Sequence, residues 1–224
     1  MSGHDHAHGA ASTPTPDAGS STARLLFTLA FFGALGGGVL AYTYQQTLAP
    51  IRKFAGEKVE IAVKEVLGAP ARLDTLFLVG DTLSKTLPAG EDALEASKLF
   101  VGFNTKGERI GVAVEEAVPG FSSEVHLMVG FDPTTSALTG IKVLAQTETP
   151  GLGDKIEKDP GFVKRFVGKL ASPLKGDKNP TTDPSTVQTI TGATITSKAV
   201  IKVINKAVER WKPRLDAYAK GGSQ

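Results

Sequence analysis

Two short segments of this 224-residue chain contain residue types whose spacing could support chemistry. One is Thr189–Ser197, which sets Gly192 and Ala193 beside Thr194 directly before a stretch with helical periodicity. Free backbone amides at a helix N-terminus favour a phosphate group, and the small residues leave room for one. Lys198, in the first turn, is unfavourable for the helix dipole but could pair with a phosphate. A phosphate site is therefore one interpretation of this segment.

The hydroxyl residues of the same segment could instead only cap the helix. Ser and Thr are preferred N-cap residues because the side-chain oxygen accepts a hydrogen bond from a free backbone N–H. The candidates are Thr194, Thr196 and Ser197. The residues alone leave phosphate binding and capping both open.

The second segment is Glu148-Thr149-Pro150-Gly151-Leu152-Gly153-Asp154, which directly follows a predicted strand. Two glycines and a proline at a strand exit allow a tight turn and a close approach of the backbone to a ligand. A plain loop between a strand and a helix is the alternative interpretation.

Several classes of chemistry are excluded by composition and motif. The chain has no cysteine, which excludes disulfides, thiolate-bound zinc or iron–sulfur sites and thiol nucleophiles. The sequence contains no GxxxxGK[ST], HExxH or GxSxG motif, and Gly151-Leu152-Gly153 does not complete GxGxxG. The net charge of +2, without a Lys/Arg cluster, argues against a nucleic-acid partner. Redox chemistry here would need an organic cofactor or a metal bound by histidine or carboxylate.

The segment from Leu25 to Tyr44 is almost wholly apolar or small, and no charge occurs between Arg24 and Arg52. Twenty residues at about 1.5 Å each span roughly 30 Å, the thickness of a bilayer core. We predict a transmembrane helix. A cleaved signal peptide, with Val39-Leu40-Ala41 as its cleavage site, is the alternative, but the segment before the apolar region is long and poor in positive charge.

The chain divides into three predicted regions: a disordered tail (1–23), a transmembrane helix (24–45) and a folded domain (46–224). The tail contains His4, His6 and His8, but a mobile tail binds metal weakly at best, so we assign no metal site. His126, the remaining histidine, fits a surface or core position in a strand better than a catalytic one. Flanking charge, with more Lys and Arg after the helix than before it, favours a cytoplasmic domain.

Consecutive strands joined by short turns, with helices at either end, predict an α+β domain with an antiparallel sheet. The residues at 200–211 form the clearest amphipathic helix, which we expect to end at Pro213. Shorter helical patterns cover residues 51–67 and 162–170. The predicted strands are Leu73–Val79, Leu99–Asn104, Ile110–Glu115, Glu124–Phe131 and Leu138–Ala145.

Taken together, the two chemical segments resemble a known family. Thr191-Gly192-Ala193-Thr194, followed by Ile195-Thr196-Ser197, resembles the flavinylation motif of FMN-binding domains. Glu148–Ile156 looks like the second motif of that family, which lines the flavin site. The chain resembles in particular the G subunits of Rnf-type ion-translocating electron transport complexes, and it is similar to the usually longer C subunits of sodium-translocating NADH:quinone reductases. The resemblance covers roughly residues 20–212.

This resemblance implies a covalent FMN, joined to Thr194 by a phosphoester bond that a flavin transferase makes. Gly192, Ala193 and the amides after Thr194 would hold the phosphate, and Glu148 to Gly153 would approach the ring or the ribityl chain. The implied cofactor-binding residues are Glu148, Thr149, Pro150, Gly151, Leu152, Gly153, Thr191, Gly192, Ala193, Thr194, Thr196, Ser197 and Lys198. One departure is Gln188, six residues before Thr194, where the family usually has Asp.

The resemblance also implies a function. The chain would be an electron-carrying subunit of an ion-translocating complex, anchored in the bacterial inner membrane by one helix in contact with lipid. Other subunits of the complex would be its partners, and its flavin domain would lie on the periplasmic side, contrary to the flanking charges. One alternative is a membrane-tethered regulatory or sensory FMN module without turnover electron transfer. Another is a tethered α+β binding domain in which Thr191–Thr194 only caps a helix.

Overall fold

A computed structural model describes residues 18–171 and 173–221 of the chain. The chain forms two compact units, which divide between Ile51 and Arg52. The three tail histidines lie outside the described residues. The first helix, α1, spans Ala18–Val66, so it includes both the predicted membrane segment and the helix predicted over residues 51–67. Pro50 lies within α1.

The second unit is built on a six-stranded antiparallel sheet with the order β2-β1-β3-β4-β5-β6. Each of the five predicted strands begins within a residue of an observed one, and β4 continues four residues further than predicted. The strands are β1 (Arg72–Val79), β2 (Thr82–Ser84), β3 (Lys98–Phe103), β4 (Arg109–Pro119), β5 (Glu124–Phe131) and β6 (Leu138–Ala145). The predicted fold class, α+β with an antiparallel sheet and flanking helices, is therefore confirmed.

Successive side chains of a strand point to opposite faces of the sheet, and consecutive buried residues in β4 and β5 show that both faces are covered. One face packs on the last helix, α4 (Thr194–Gly221), around the fully buried Trp211. The other face packs on the end of α1, where Val63 joins a smaller cluster that includes Ala113 and Met128 of the central strands. The sheet thus lies between two helices.

Two glycines allow the end of α1 to approach the sheet closely. Gly130 of β5 and Gly140 of β6 are register partners. A Cβ atom on Gly130 would lie 2.8 Å from the Val66 carbonyl oxygen, and one on Gly140 would lie 3.0 Å from the Val66 Cα. Side chains at either position would push the helix away. The two glycines therefore let the backbone at the end of α1 pack directly against the backbone of β5 and β6.

Shorter elements connect β6 to α4. Two one-turn helices, α2 (Lys155–Lys158) and α3 (Pro160–Lys164), follow the second chemical segment. Asp159 caps α3 by accepting a hydrogen bond from Gly161 N at 2.8 Å. A parallel two-stranded ribbon of β7 (Lys175–Asp177) and β8 (Thr186–Gln188) comes next. No part of this ribbon was predicted.

Two helix boundaries differ from the sequence expectation. The pattern over residues 162–170 forms a helix only as far as Lys164. In contrast, α4 passes through Pro213 and ends at Gly221. A proline inside a helix removes one hydrogen bond and crowds the preceding turn. Here the apolar stripe continues beyond it, since Leu215 is buried and Tyr218 packs against the core. This packing offsets the lost bond.

Candidate functional site

Three segments that are distant in sequence meet at one end of the sheet and enclose a cavity of about 300 Å³. They are the turn between β4 and β5, the segment after β6 and the first turn of α4. The cavity is lined by Phe121, Glu148, Thr149, Leu152, Gly153, Gly192, Ala193, Thr194, Ile195 and Thr196. The structure therefore brings the two chemical segments of the sequence together in one site.

The carboxylate of Glu148 connects the three segments. Its Oε1 atom accepts hydrogen bonds from the backbone N–H groups of Phe121 and Ser122, each at 3.0 Å, and of Ser123 at 3.2 Å. Its Oε2 atom accepts a hydrogen bond from the Thr196 hydroxyl at 2.8 Å. Glu148 is only 5% exposed, so it forms these bonds in the interior of the site. Buried polar groups with full partner sets hold their surroundings in place.

The same bonds determine the ionisation of Glu148. Burial by itself would raise the pKa of this carboxyl, because it disfavours the charged form. Hydrogen bonds from Ser122, Thr196, Ser123 and Phe121 favour the carboxylate, and together they hold the pKa of Glu148 below its ordinary value. The side chain is therefore an anion at neutral pH.

Two glycines make room for this carboxylate. A Cβ atom on Gly120 would lie 2.5 Å from Glu148 Oε1, and one on Gly153 would lie 2.6 Å from Glu148 Oε2. The Gly153 Cβ would also come within 3.0 Å of the Thr196 hydroxyl. Any larger residue at either position would displace the carboxylate or its partners. Gly153, in the second segment, thus leaves room for the contact between Glu148 and Thr196 inside the protein.

The first turn of α4 forms the opposite wall of the cavity. Gly192, with φ of +82°, takes the left-handed conformation that lets the chain turn into the helix. Thr194 is the first residue of α4 and is half-buried. Backbone N–H groups in the first turn of a helix have no partner within the helix. The wall therefore offers a hydroxyl together with free amide donors.

The other two hydroxyl residues of this turn, Thr196 and Ser197, both form hydrogen bonds inside the protein. The Thr196 hydroxyl is buried and donates to Glu148. Ser197 is fully buried, and its Oγ accepts a hydrogen bond from Ile190 N at 3.0 Å. The capping expectation is corrected accordingly: Thr194, Thr196 and Ser197 lie within the helix rather than before it, because α4 begins at Thr194.

The predicted site residues divide into two groups. Eight of them line the cavity, namely Glu148, Thr149, Leu152, Gly153, Gly192, Ala193, Thr194 and Thr196. The others lie near it in the chain without lining it: Pro150, Gly151, Thr191 and Lys198 are exposed, and Ser197 is buried behind it. Gly151 shapes the segment through its φ of +76°.

Two residues that line the cavity, Phe121 and Ile195, were not predicted from the sequence. Both are large apolar side chains with high exposure, 67% for Phe121 and 58% for Ile195, and Leu152 beside them is 49% exposed. A single apolar residue after the Pro119-Gly120 turn has no periodic partner in the sequence, and that isolation was the available signal. Together the three side chains give the cavity an apolar rim.

Other features of the second unit are separate from this site. A larger groove of about 610 Å³ lies between α1 and the sheet, but none of the predicted site residues lines it. His126 lies in β5, 3.6 Å from Glu115 and 3.5 Å from Glu124 at the surface. Among the described residues no cluster of three or more histidine and acidic side chains could hold a metal ion.

Gln188, at the departure from the family motif, ends β8 opposite Asp177. Its side-chain amide donates to the Lys178 carbonyl oxygen at 3.3 Å, and its own backbone carbonyl accepts from Arg165 at 3.1 Å. The residue is therefore held at the end of the ribbon that leads into the Thr191–Thr194 turn.

Comparison with known proteins gives the class of this domain and then its family. Residues 120–209 match the family model described as FMN-binding domain, a range that contains all three segments of the cavity. A crystal structure of Shewanella oneidensis NqrC has the same fold, with a TM-score of 0.59 at 17% identity, covering 72% of this chain and 97% of that one. The domain is thus of the FMN-binding class in fold.

The relatives define the family more closely. The G subunit of the ion-translocating oxidoreductase complex from Shewanella oneidensis is 33% identical over 80% of this chain and 84% of its own length. The corresponding G subunits of Shewanella baltica and Methanosarcina acetivorans are 30% and 28% identical, covering 85% and 92% of those proteins. The chain belongs to the family formed by the G subunits of ion-translocating oxidoreductase complexes.

Proposed function

We propose that this protein is a membrane-anchored flavoprotein subunit that carries FMN covalently on Thr194 and passes electrons within an ion-translocating oxidoreductase complex. The observation that carries this proposal is the cavity at the start of α4, which joins the two motif segments around the Thr194 hydroxyl. Membership of the G-subunit family supports it, because those relatives are named as parts of such a complex.

The chemistry of the lining fits FMN. The nucleotide joins a flat aromatic ring system, with apolar faces and polar edge atoms, to a negatively charged phosphate. The cavity pairs the apolar rim of Phe121, Leu152 and Ile195 with the amide donors of the first turn of α4. Its volume of about 300 Å³ is at the lower end for ligand pockets, so we expect part of the ring to reach the rim. A bound FMN would supply the electron chemistry, while the protein orients it.

Thr194 is the attachment residue we propose, because it lines the cavity while the hydroxyls of Thr196 and Ser197 form hydrogen bonds elsewhere. Attachment forms a bond between Thr194 Oγ and the phosphorus of an activated flavin nucleotide. The bond from phosphorus to the leaving group breaks, and the hydroxyl proton passes to a base. A flavin transferase would catalyse this exchange, as the resemblance to the family implies.

The remaining lining residues have supporting roles in the proposal. Gly192 and Ala193 would leave space beside the phosphate, and the backbone amides of Ile195 and Thr196 would donate hydrogen bonds to it. The Thr149 hydroxyl and the backbone at Gly153 would contact the ring or the ribityl chain. Lys198, exposed in the first turn of α4, would add long-range attraction for the phosphate without touching it.

The membrane anchor in this proposal is the segment 24–45 of α1. From Thr22 onward α1 is long and apolar enough to cross a bilayer. Its large side chains, such as Phe27 at 71% exposure and Leu40 at 72%, have no protein cover within the described residues. Apolar side chains exposed on this scale indicate an apolar environment, which lipid and the other subunits of the complex would provide.

We further propose that the flavin domain lies on the periplasmic side, as the resemblance implies. The absence of native cysteine offers a direct test. A single cysteine at Thr105, in the exposed turn between β3 and β4, should react in intact cells with a maleimide that crosses only the outer membrane. A matched cysteine at Ser2 should react only after lysis. The opposite pattern would contradict the orientation.

Covalent attachment is tested by producing the full chain together with a flavin transferase. After denaturation and gel separation, flavin fluorescence should stay with the wild-type polypeptide, and its mass should increase by one FMN phosphoester. Thr194→Ala should lose both signals, whereas Thr182→Ala, at an exposed position outside both motifs, should keep them. A flavin-free wild type, or a fluorescent Thr194→Ala band, would overturn the proposal.

A further inference from the structure

The carboxylate of Glu148 is an uncompensated negative charge in the cavity wall. All four of its hydrogen bonds come from neutral donors, three backbone N–H groups and one hydroxyl. Within the described residues, no lysine, arginine or histidine lies within salt-bridge distance of it. By contrast, the other deeply buried glutamate, Glu116, pairs with Lys206 at 2.8 Å and with Arg210 at 2.7 Å. The charge of Glu148 is therefore stabilised but not cancelled.

The position of this charge is fixed. Glu148 lines the cavity, and four hydrogen bonds from two separate segments hold its carboxylate in place. Its bonds also hold the backbone of Phe121, whose ring forms part of the apolar rim. A buried charge acts more strongly on its neighbours than a charge at the surface, and Glu148 is buried.

We propose that Glu148 is a positioning residue that fixes a negative charge beside the cofactor cavity and thereby lowers the reduction potential of a flavin held there. This inference rests on the proposed function. Reduction adds electrons to the flavin ring, so a fixed anion nearby disfavours the reduced form. The same residue orders the Phe121–Ser123 turn and the Thr196 hydroxyl around the ring.

The two roles can be separated by substitution. Glu148→Gln keeps an oxygen that can accept from the three backbone N–H groups, and its amide can donate to the Thr196 hydroxyl, but it removes the charge. Glu148→Ala removes both the bonds and the charge. Glu108→Gln is the control for charge: this exposed glutamate precedes β4, whereas the cavity lies beyond the other end of that strand. Eleven residues of strand at about 3.3 Å each put roughly 30 Å or more between them, several screening lengths.

The first measurement is the midpoint potential of the attached flavin, titrated in the full-length protein in neutral detergent at pH 7. We expect Glu148→Gln to shift the potential to a more positive value, and Glu108→Gln to leave it at the wild-type value. No shift in Glu148→Gln, or equal shifts in the two variants, would overturn the inference. In either case the wild type still holds flavin, so the proposed function stands.

The second measurement needs no flavin. Hydrogen exchange of the Phe121, Ser122 and Ser123 amides in the apoprotein should stay slow in Glu148→Gln and become fast in Glu148→Ala. If Glu148→Gln loses this protection or fails to take up flavin, charge and positioning are not separable and the inference fails. A wild type that retains no flavin after denaturation would instead refute the proposed function on which the inference rests.

Discussion

The Thr196 hydroxyl lies 2.8 Å from Glu148 Oε2, and this single hydrogen bond joins two segments that are 48 residues apart. It connects the turn after β6 to the first turn of α4 on the inner side of the cavity. Thr194, two residues earlier, lines the same cavity with its hydroxyl uncommitted to Glu148. Two threonines of one helical turn thus have different surroundings: Thr196 is bonded to Glu148, whereas Thr194 lines the cavity.

This division predicts opposite outcomes for two matched substitutions. Thr196→Val keeps the side-chain shape but leaves the buried Glu148 Oε2 without its donor, which should lower the free energy of unfolding by about 1–3 kcal/mol. Flavin attachment should persist. Thr194→Val should abolish attachment and leave the stability of the apoprotein within about 0.5 kcal/mol of wild type. Denaturant unfolding and in-gel flavin fluorescence measure the two effects, and a loss of flavin only in Thr196→Val would reverse the assignment.

A second prediction concerns Glu116, whose side chain bonds the middle of α4 to the sheet. Its buried carboxylate accepts from Arg210 at 2.7 Å and from Trp211 Nε1 at 3.3 Å, besides its ion pair with Lys206. Glu116→Gln should lower the free energy of unfolding by about 2 kcal/mol, less than for a fully buried ion pair because Lys206 and Arg210 are partly exposed. Fluorescence of Trp211, the single tryptophan, reports the unfolding.

The control for this prediction is Glu115→Gln, the neighbouring position on β4. Glu115 is exposed and lies 3.6 Å from His126, a contact that should contribute little to stability. We expect an unfolding midpoint close to that of the wild type. A larger effect at Glu115 than at Glu116 would mean that the buried cluster does not stabilise α4 on the sheet.

Acid should weaken the protein through two of its buried carboxylates. Burial would raise the pKa of Glu116, but its bonds to Lys206 and Arg210 hold that pKa below the ordinary value of 4.5. The pKa of Glu148 is lowered likewise, against its burial, by its hydrogen bonds. A lowered pKa in the folded state contributes stability above pH 4.5 that is lost as pH falls through the folded value. The melting temperatures of wild type and Glu116→Gln should therefore converge as pH decreases from 7 to 3, and parallel curves would contradict this.

The close packing of α1 against Gly130 and Gly140 predicts that a larger residue there will destabilise the protein. Gly130→Ala adds a Cβ that would lie 2.5 Å from the Thr139 hydroxyl and 2.8 Å from the Val66 carbonyl oxygen, so it should lower the free energy of unfolding by about 1–3 kcal/mol. Gly56→Ala is the matched control. Its Cβ would meet only Leu94, at 3.8 Å, and helix propensity should make the change neutral or stabilising. Equal destabilisation by both changes would exclude the close approach as the cause.

Gln188 predicts a kinetic effect on attachment. The family resemblance associates an acidic residue with this position, so Gln188→Asp should increase the initial rate at which a flavin transferase modifies the chain. Gln188→Asn also shortens the side chain and weakens the bond to the Lys178 carbonyl oxygen, but it adds no charge, and it should not increase the rate. Time courses of flavin incorporation compare the two. A faster Gln188→Asn would attribute the effect to the ribbon rather than to the charge.

The elements predicted correctly from the sequence are those with a periodic pattern of apolar residues. Both β5 and β6 were predicted to the residue because apolar alternation stops at turn residues on either side. The three-residue strands β2, β7 and β8 are too short for any period to be visible. The continuation of α4 through Pro213 depends on burial of Leu215, a tertiary contact that local propensity does not contain.

The candidate site could be predicted in its composition but not in its internal contacts. Glycine and hydroxyl residues at a helix start suggested either a phosphate site or a helix cap, and the motifs indicated the second segment. That Glu148 is bonded to the backbone of Phe121–Ser123, and Ser197 to Ile190, could not be inferred, because both contacts depend on how the sheet brings distant turns together. The position of an exposed apolar residue such as Phe121 at the cavity can be recognised only from the folded structure.

The buried contacts of Glu116 limit the rotation of α4 about its own axis. Arg210 follows Thr194 by 16 residues, so the cluster is roughly 24 Å along the helix axis from the candidate attachment residue. Each residue of an α-helix turns by about 100°, and a slip of one position at the cluster would swing the Thr194 hydroxyl out of the cavity. Because Glu116 bonds two side chains on one face of the helix and a third next to them, it fixes rotation as well as translation. The rotation of α4 is therefore fixed at two places, by Thr196 and Ser197 in its first turn and again at the Glu116 cluster some four and a half turns away.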